Sequence, residues 1–130
     1  MIIKVESDKT DQVIDITSQI SDVVKNSKIG KGICYVYVPH TTAAVTINEN
    51  ADPDVKEDFL KGLGEIVPDN IPYKHSEGNS PAHIKASMIG AGEMIIVEDD
   101  QLLLGVWQGI YFCEFDGPRQ RKVYVKVLEG

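Results

Sequence analysis

The chain reads as an α+β protein with mostly antiparallel sheets and two or three short helices. Three observations predict this. Runs of β-branched and aromatic residues such as residues 32–38 mark strands early in the chain. Two cap-plus-proline signals, Asp52-Pro53 and Ser80-Pro81, mark helix starts in the middle. After residue 94 the strand pattern returns and continues to the end.

Residues 2–6 and 12–17 alternate as an opening pair of strands around Ser7-Asp8-Lys9-Thr10. Residues 18–26 form a short helix that Thr17 or Ser18 can cap, with Gly30 just past its end. Residues 32–38 are a strand, and after Pro39 a second covers 41–48. Asp52 caps the next helix, which places Val55, Phe59, Leu63 and Ile66 on one stripe and ends near Gly64 and Pro68. Residues 69–79 are a polar loop. A short helix over 81–89 stops at Gly90, and 94–98, 102–106, 108–115 and 120–128 are strands.

At 130 residues the chain fits one domain, residues 1–130. With 25% charged and 42% apolar residues it is globular rather than disordered. A net charge of −7 argues against a nucleic-acid backbone or an anionic membrane surface as partner. No apolar run approaches the roughly 20 residues of a spanning helix. The first residues alternate like a strand, not like a signal peptide, so a cytoplasmic location is expected. Cys34 and Cys113 fall in strand runs and read as small core residues.

Three polar constellations carry the chemistry. In the first, His40-Thr41-Thr42 leads a strand with Thr42, Thr46 and Asn48 on one face and Ala43, Val45 and Ile47 on the other. The uncharged polar face suits either a ligand or solvent. Asp52, four residues past Asn48, is a candidate base whose simplest role is the helix cap. In the second, His75-Ser76-Glu77-Gly78-Asn79-Ser80-Pro81-Ala82-His83 holds two of the three histidines at the start of a helix, where free backbone N–H groups suit a phosphate. Their eight-residue separation matches no standard zinc spacing. The third runs from Gly105-Val106-Trp107-Gln108 to Glu114-Phe115-Asp116-Gly117-Pro118-Arg119-Gln120-Arg121. Arg119 and Arg121 are the only arginines among 13 cationic Lys and Arg side chains, so the planar guanidinium is reserved for this segment. A hairpin turning on Gly117-Pro118 would set Asp116 opposite Arg119 and Glu114 opposite Arg121 as exposed ion pairs. The alternative aims the guanidiniums at an anion.

In this order and spacing these blocks resemble the YjbQ family of secondary thiamine-phosphate synthase enzymes over nearly the whole chain. The resemblance implies an α+β homotrimer with a shared site near the subunit contacts. It also implies a low transferase activity that joins a hydroxymethylpyrimidine diphosphate to a thiazole phosphate and releases pyrophosphate. Carried onto this sequence, the catalytic candidates are His40, His75, His83 and Asp52. The substrate-binding candidates are Thr42, Asn48, Asn79, Ser80, Trp107, Gln108, Arg119 and Arg121. A divalent ion, magnesium or zinc, would assist diphosphate departure, with Asp52 and Asp116 as carboxylate ligands; His75, His83 and His40 are the candidate ligands for a transition metal. Lys85 is a further cation for the leaving group. Two other readings compete: a metal-binding protein or metal-dependent hydrolase with a histidine/aspartate site, and a ligand-binding trimer without catalysis.

Overall fold

The computed structural model describes residues 1–130. Strands β1 (Ile2–Glu6) and β2 (Gln12–Asp15) precede helix α1 (Thr17–Ser27), and strands β3 (Gly32–Tyr37) and β4 (Ala43–Glu49) follow it. Helices α2 (Pro53–Ile66) and α3 (Ser80–Ile89) come next. Strands β5 (Gly92–Glu98), β6 (Gln101–Leu102), β7 (Gln108–Glu114) and β8 (Gln120–Glu129) complete the chain. The α+β class and the antiparallel pairing expected from the sequence are both present.

The strands form two sheets, a five-stranded one in the order β1-β8-β3-β5-β6 and a three-stranded one in the order β2-β7-β4. Strand alternation sends Val36, Val97 and Val123 of the larger sheet and Val45 and Phe112 of the smaller into one shared core. Helix α1 adds Ile20 and Val24, one turn apart on one face. The opposite face of the smaller sheet is covered as well, since Ala44, Cys113 and Phe115 meet Leu63 of α2 and Ala82 and Ala86 of α3. Strand β7 is therefore buried on both faces and reads as a near-continuous apolar run. Burial raises the thiol pKa of Cys34 to about 11 and of Cys113 to about 12, as inert core cysteines require. No helix is long and apolar enough to cross a membrane.

Several local expectations need correction. The Gly117-Pro118 segment does not make a hairpin, because β7 and β8 lie in different sheets and the segment carries the chain between them. The opening strands likewise separate, β1 pairing with β8 and β2 with β7. Of residues 102–106 only Leu102 is in a strand; β6 is a two-residue return from β5 through Asp99 and Asp100, both at positive φ. Helix α1 ends at Lys28 in the left-handed conformation rather than at Gly30. In α2, Ile66 is 66% exposed and Val67 takes the buried place.

The outer face of the five-stranded sheet is unusual for an isolated chain. Ile33, Tyr35 and Tyr37 of β3 stand beside Ile96 and Met94 of β5 and Tyr124 of β8, all substantially exposed. Contiguous apolar faces of this kind mark contact surfaces.

Candidate functional site

The smaller sheet ends in a buried polar network. Glu114 closes β7 and is fully buried, and Arg121 enters from β8 almost as deeply. One carboxylate oxygen of Glu114 accepts from Arg121 Nε at 2.9 Å and from Ser7 Oγ at 2.7 Å. The other accepts from a terminal Arg121 nitrogen and from the Asp116 backbone N–H, the latter at 3.0 Å. The same guanidinium donates to Thr42 Oγ1 at 2.8 Å. Burial pushes the Glu114 carboxyl up, but Arg121, Ser7 and the Asp116 amide outweigh it and hold the group below the usual carboxylate range. The expected pairing of Glu114 with Arg121 therefore forms, but as a buried bridge between sheets and not as an exposed cross-strand pair.

The network positions Asp116, two residues on. Asp116 Oδ2 accepts from Asn79 Nδ2 at 2.8 Å and from Arg119 at 3.0 Å, and its carbonyl oxygen accepts from Arg119 Nε at 2.9 Å. Arg119 is thus oriented by two contacts while 51% of its side chain stays exposed. Of its five N–H donors three remain unused. Asn79 sits at the start of α3, with its Oδ1 buried and lacking a donor. Ser80 opens the helix, and His83 follows one turn in. The free N–H groups expected here are not there for a phosphate, because Pro81 has none and the Ala82 and His83 amides both donate to the Asn79 carbonyl. The His83 ring meets His75 edge-to-face, with centroids 5.2 Å apart. Lys85 is withdrawn from this end by an ion pair with Asp11 at 3.3 Å.

His40 lies on the other side of Arg121. Strands β3 and β8 stop pairing at Tyr37 and Tyr124, and the imidazole meets the β8 backbone two residues before Tyr124, at Lys122. Its Nε2 is 3.0 Å from the Lys122 amide nitrogen and 3.2 Å from the Lys122 carbonyl oxygen. The amide can only donate, so we assign a bare Nε2 and a ring proton on Nδ1. Burial first, and then the Arg121 charge, hold the His40 pKa below its ordinary value.

The remaining sequence candidates are elsewhere. Strand β4 rises about 3.3 Å per residue, so Asn48 is about 20 Å from Thr42. The β4–β7 register pairs Ala43 with Glu114 at one end and Glu49 with Gln108 at the other. At this second end Trp107 is 62% exposed. Gln108 Oε1 accepts from the Gly105 amide at 2.7 Å, and Asn48 Oδ1 accepts from the Glu49 amide at 2.7 Å. Asp52 caps α2, accepting from the Asp54 amide at 3.0 Å. One chain therefore holds two half-sites at opposite ends of one ladder. Thr42, Asn79, Arg119, Arg121 and the three histidines are at the first; Asn48, Asp52, Trp107 and Gln108 are at the second. Within one chain no three His, Cys, Asp or Glu side chains converge to hold a metal. His75 and His83 are two donors without a third, so neither the magnesium nor the zinc expectation has a formed ligand set in the single chain.

Ser7 was not legible as part of the network, because its contact with Glu114 joins positions 107 apart in sequence. Lys4 and Lys122, which flank His40, were missed for the same reason: only strand register brings them together.

The chain is thus an α+β protein of two antiparallel sheets and three helices, with a buried Thr42–Arg121–Glu114 network where the sheets meet. The UPF0047 protein YjbQ-like family matches residues 1–130, and the chain belongs to that family. It is 50% identical to a UPF0047 protein of Methanocaldococcus jannaschii over 96% of this chain and 91% of that one. It is 48% identical to the UPF0047 protein YugU of Bacillus subtilis, covering 97% and 96% of the two chains. Among solved structures, a YjbQ/UPF0047 family protein of Clostridium acetobutylicum superposes with a TM-score of 0.97 at 52% identity, over 98% of this chain and 99% of that one. A YbjQ-like protein of Sulfolobus solfataricus gives 0.96 at 34% identity, over 100% and 96%.

Proposed function

We propose that the protein is a transferase of low activity acting on phosphorylated heterocycles, in the manner of a thiamine-phosphate synthase. It would join a hydroxymethylpyrimidine diphosphate to a thiazole phosphate with release of pyrophosphate. The observation that carries this reading is Arg119. Its guanidinium is aimed by Asp116, which is itself held by Asn79 and by the backbone contact to Glu114, and it keeps three N–H donors free. A preoriented, half-exposed guanidinium suits the negative charge that develops on departing pyrophosphate. His83, one turn into α3, would give a proton to the leaving group, with His75 steadying its ring.

The two half-sites favour an active unit made of several copies. The resemblance implies a homotrimer, and the exposed apolar face of the larger sheet supports association. In that arrangement Trp107 and Gln108 of one copy would complete the Arg119 end of the next, with the indole stacked on the pyrimidine. The free buried thiols Cys34 and Cys113 suit a cytoplasmic setting.

The test is direct assay of thiamine phosphate formation from the two phosphorylated substrates, in the wild type and in Arg119→Ala and His83→Ala. The expectation is slow turnover by the wild type and a loss of about a hundredfold in Arg119→Ala, the scale of removing one charge-stabilising donor. His83→Ala should lose turnover with assembly intact. Absence of wild-type turnover above the uncatalysed background overturns the reading.

A further inference from the structure

A second polar locus lies apart from Arg119. A cleft of about 450 Å³ opens where β1 and β8 pair, bounded by Lys4, Glu6, His40, Gln120, Arg121 and Lys122. Lys4 and Lys122 are direct cross-strand partners, as are Glu6 and Gln120. All four are exposed, whereas the alternate residues Val5 and Val123 are buried. The two lysines thus face outward side by side.

That pairing is unfavourable on its own. Like charges directly opposite on a sheet destabilise it, and neither ammonium belongs to any ion pair of the chain; those join Lys85 to Asp11, Arg119 to Asp116 and Arg121 to Glu114. The Lys122 ammonium has only the Tyr124 ring, 5.9 Å away. The Arg121 charge is answered by Glu114, which leaves Glu6 as the one carboxylate in the lining against two free lysines. His40 spends Nε2 on the Lys122 amide and retains Nδ1–H as an unused donor. Two unanswered ammoniums and a neutral N–H donor around one cleft, in a chain of net charge −7, suit a multiply charged oxyanion.

We propose that this cleft binds a phosphoryl or diphosphate group, gripped by Lys4 Nζ, Lys122 Nζ and His40 Nδ1–H. The inference rests on the phosphorylated-substrate reading for the identity of the anion. A reaction between two phosphorylated substrates needs two anion loci. Arg119 supplies one, and this cleft supplies the other.

The experiment is a titration of the full-length protein with inorganic pyrophosphate, followed by NMR at the Lys122 amide, the His40 ring and the Arg119 guanidinium. It is repeated on Lys4→Gln/Lys122→Gln and on Lys61→Gln, which removes an exposed lysine of α2 outside the cleft. Saturable shifts at Lys122 and His40 are expected. The double variant should bind at least about tenfold more weakly at that locus, as loss of charged hydrogen bonds predicts. It should melt no lower than wild type, since it relieves a repulsion. Lys61→Gln should bind as wild type does. Shifts confined to Arg119, or an equal loss in Lys61→Gln, overturn the cleft and leave the transferase reading standing. Shifts at both loci without turnover of the two substrates contradict the transferase reading and leave the cleft standing.

Discussion

Glu114 is the residue on which the first half-site depends. It accepts from Arg121, Ser7 and the Asp116 amide while fully buried. Replacing it with glutamine leaves Arg121 as an uncompensated buried charge, and breaking such a pair costs about 3–5 kcal/mol. Urea unfolding of Glu114→Gln at neutral pH measures that loss. The pH dependence has a definite sign. A carboxyl whose folded pKa is depressed stabilises the fold above its unfolded pKa of about 4.3, and that contribution disappears as pH falls through the folded value. The stability gap between wild type and Glu114→Gln should therefore be full near pH 6 and shrink below about pH 4. His40 offers a second check at this scale. Because burial and then the Arg121 charge disfavour the imidazolium, its NMR titration should fall below the ordinary histidine midpoint of about 6.5. A midpoint above that value contradicts this balance of burial and charge.

At the scale of elements, the helices were more legible than the sheets. Asp52-Pro53 and the Gly90 stop are local signals, and both act where the sequence puts them. The pairing of strands is not local. Gly117-Pro118 carries the residues of a turn, yet the chain there passes from the smaller sheet to the larger, and no window of sequence contains that information. The ion pairs Asp116–Arg119 and Glu114–Arg121 were nevertheless legible, because short separation brings them together in either geometry. The polar face expected on β4 illustrates the opposite limit. Thr42 and Ala44 share it, but helices α2 and α3 cover it, so Thr42 is a buried partner of Arg121 rather than an open ligand contact. Asp52 separates its two readings at this scale. As the α2 cap, Asp52→Ala should cost about 1 kcal/mol while Asp52→Asn keeps most of the stability. Turnover in Asp52→Asn distinguishes the cap from a base: a pure cap leaves it unchanged, and an essential base does not.

For the whole molecule, the division of candidate residues between the two ends of the β4–β7 ladder is the central fact. Sequence order lists them together, and the fold separates them. The outward face bearing Tyr35, Tyr37, Met94 and Ile96 supplies a reason for copies to associate. Charging it should disperse the assembly, so Met94→Glu/Ile96→Lys is expected to sediment as a monomer with turnover lost even though Arg119 and His83 are untouched. A variant that stays assembled places the contact elsewhere. The most direct measurement is a crystal structure of the assembled protein grown with inorganic pyrophosphate. The account predicts a trimer in which Trp107 and Gln108 of one copy border Arg119 and His83 of its neighbour, with pyrophosphate among them. Copies that leave the two half-sites facing solvent on separate surfaces would contradict it.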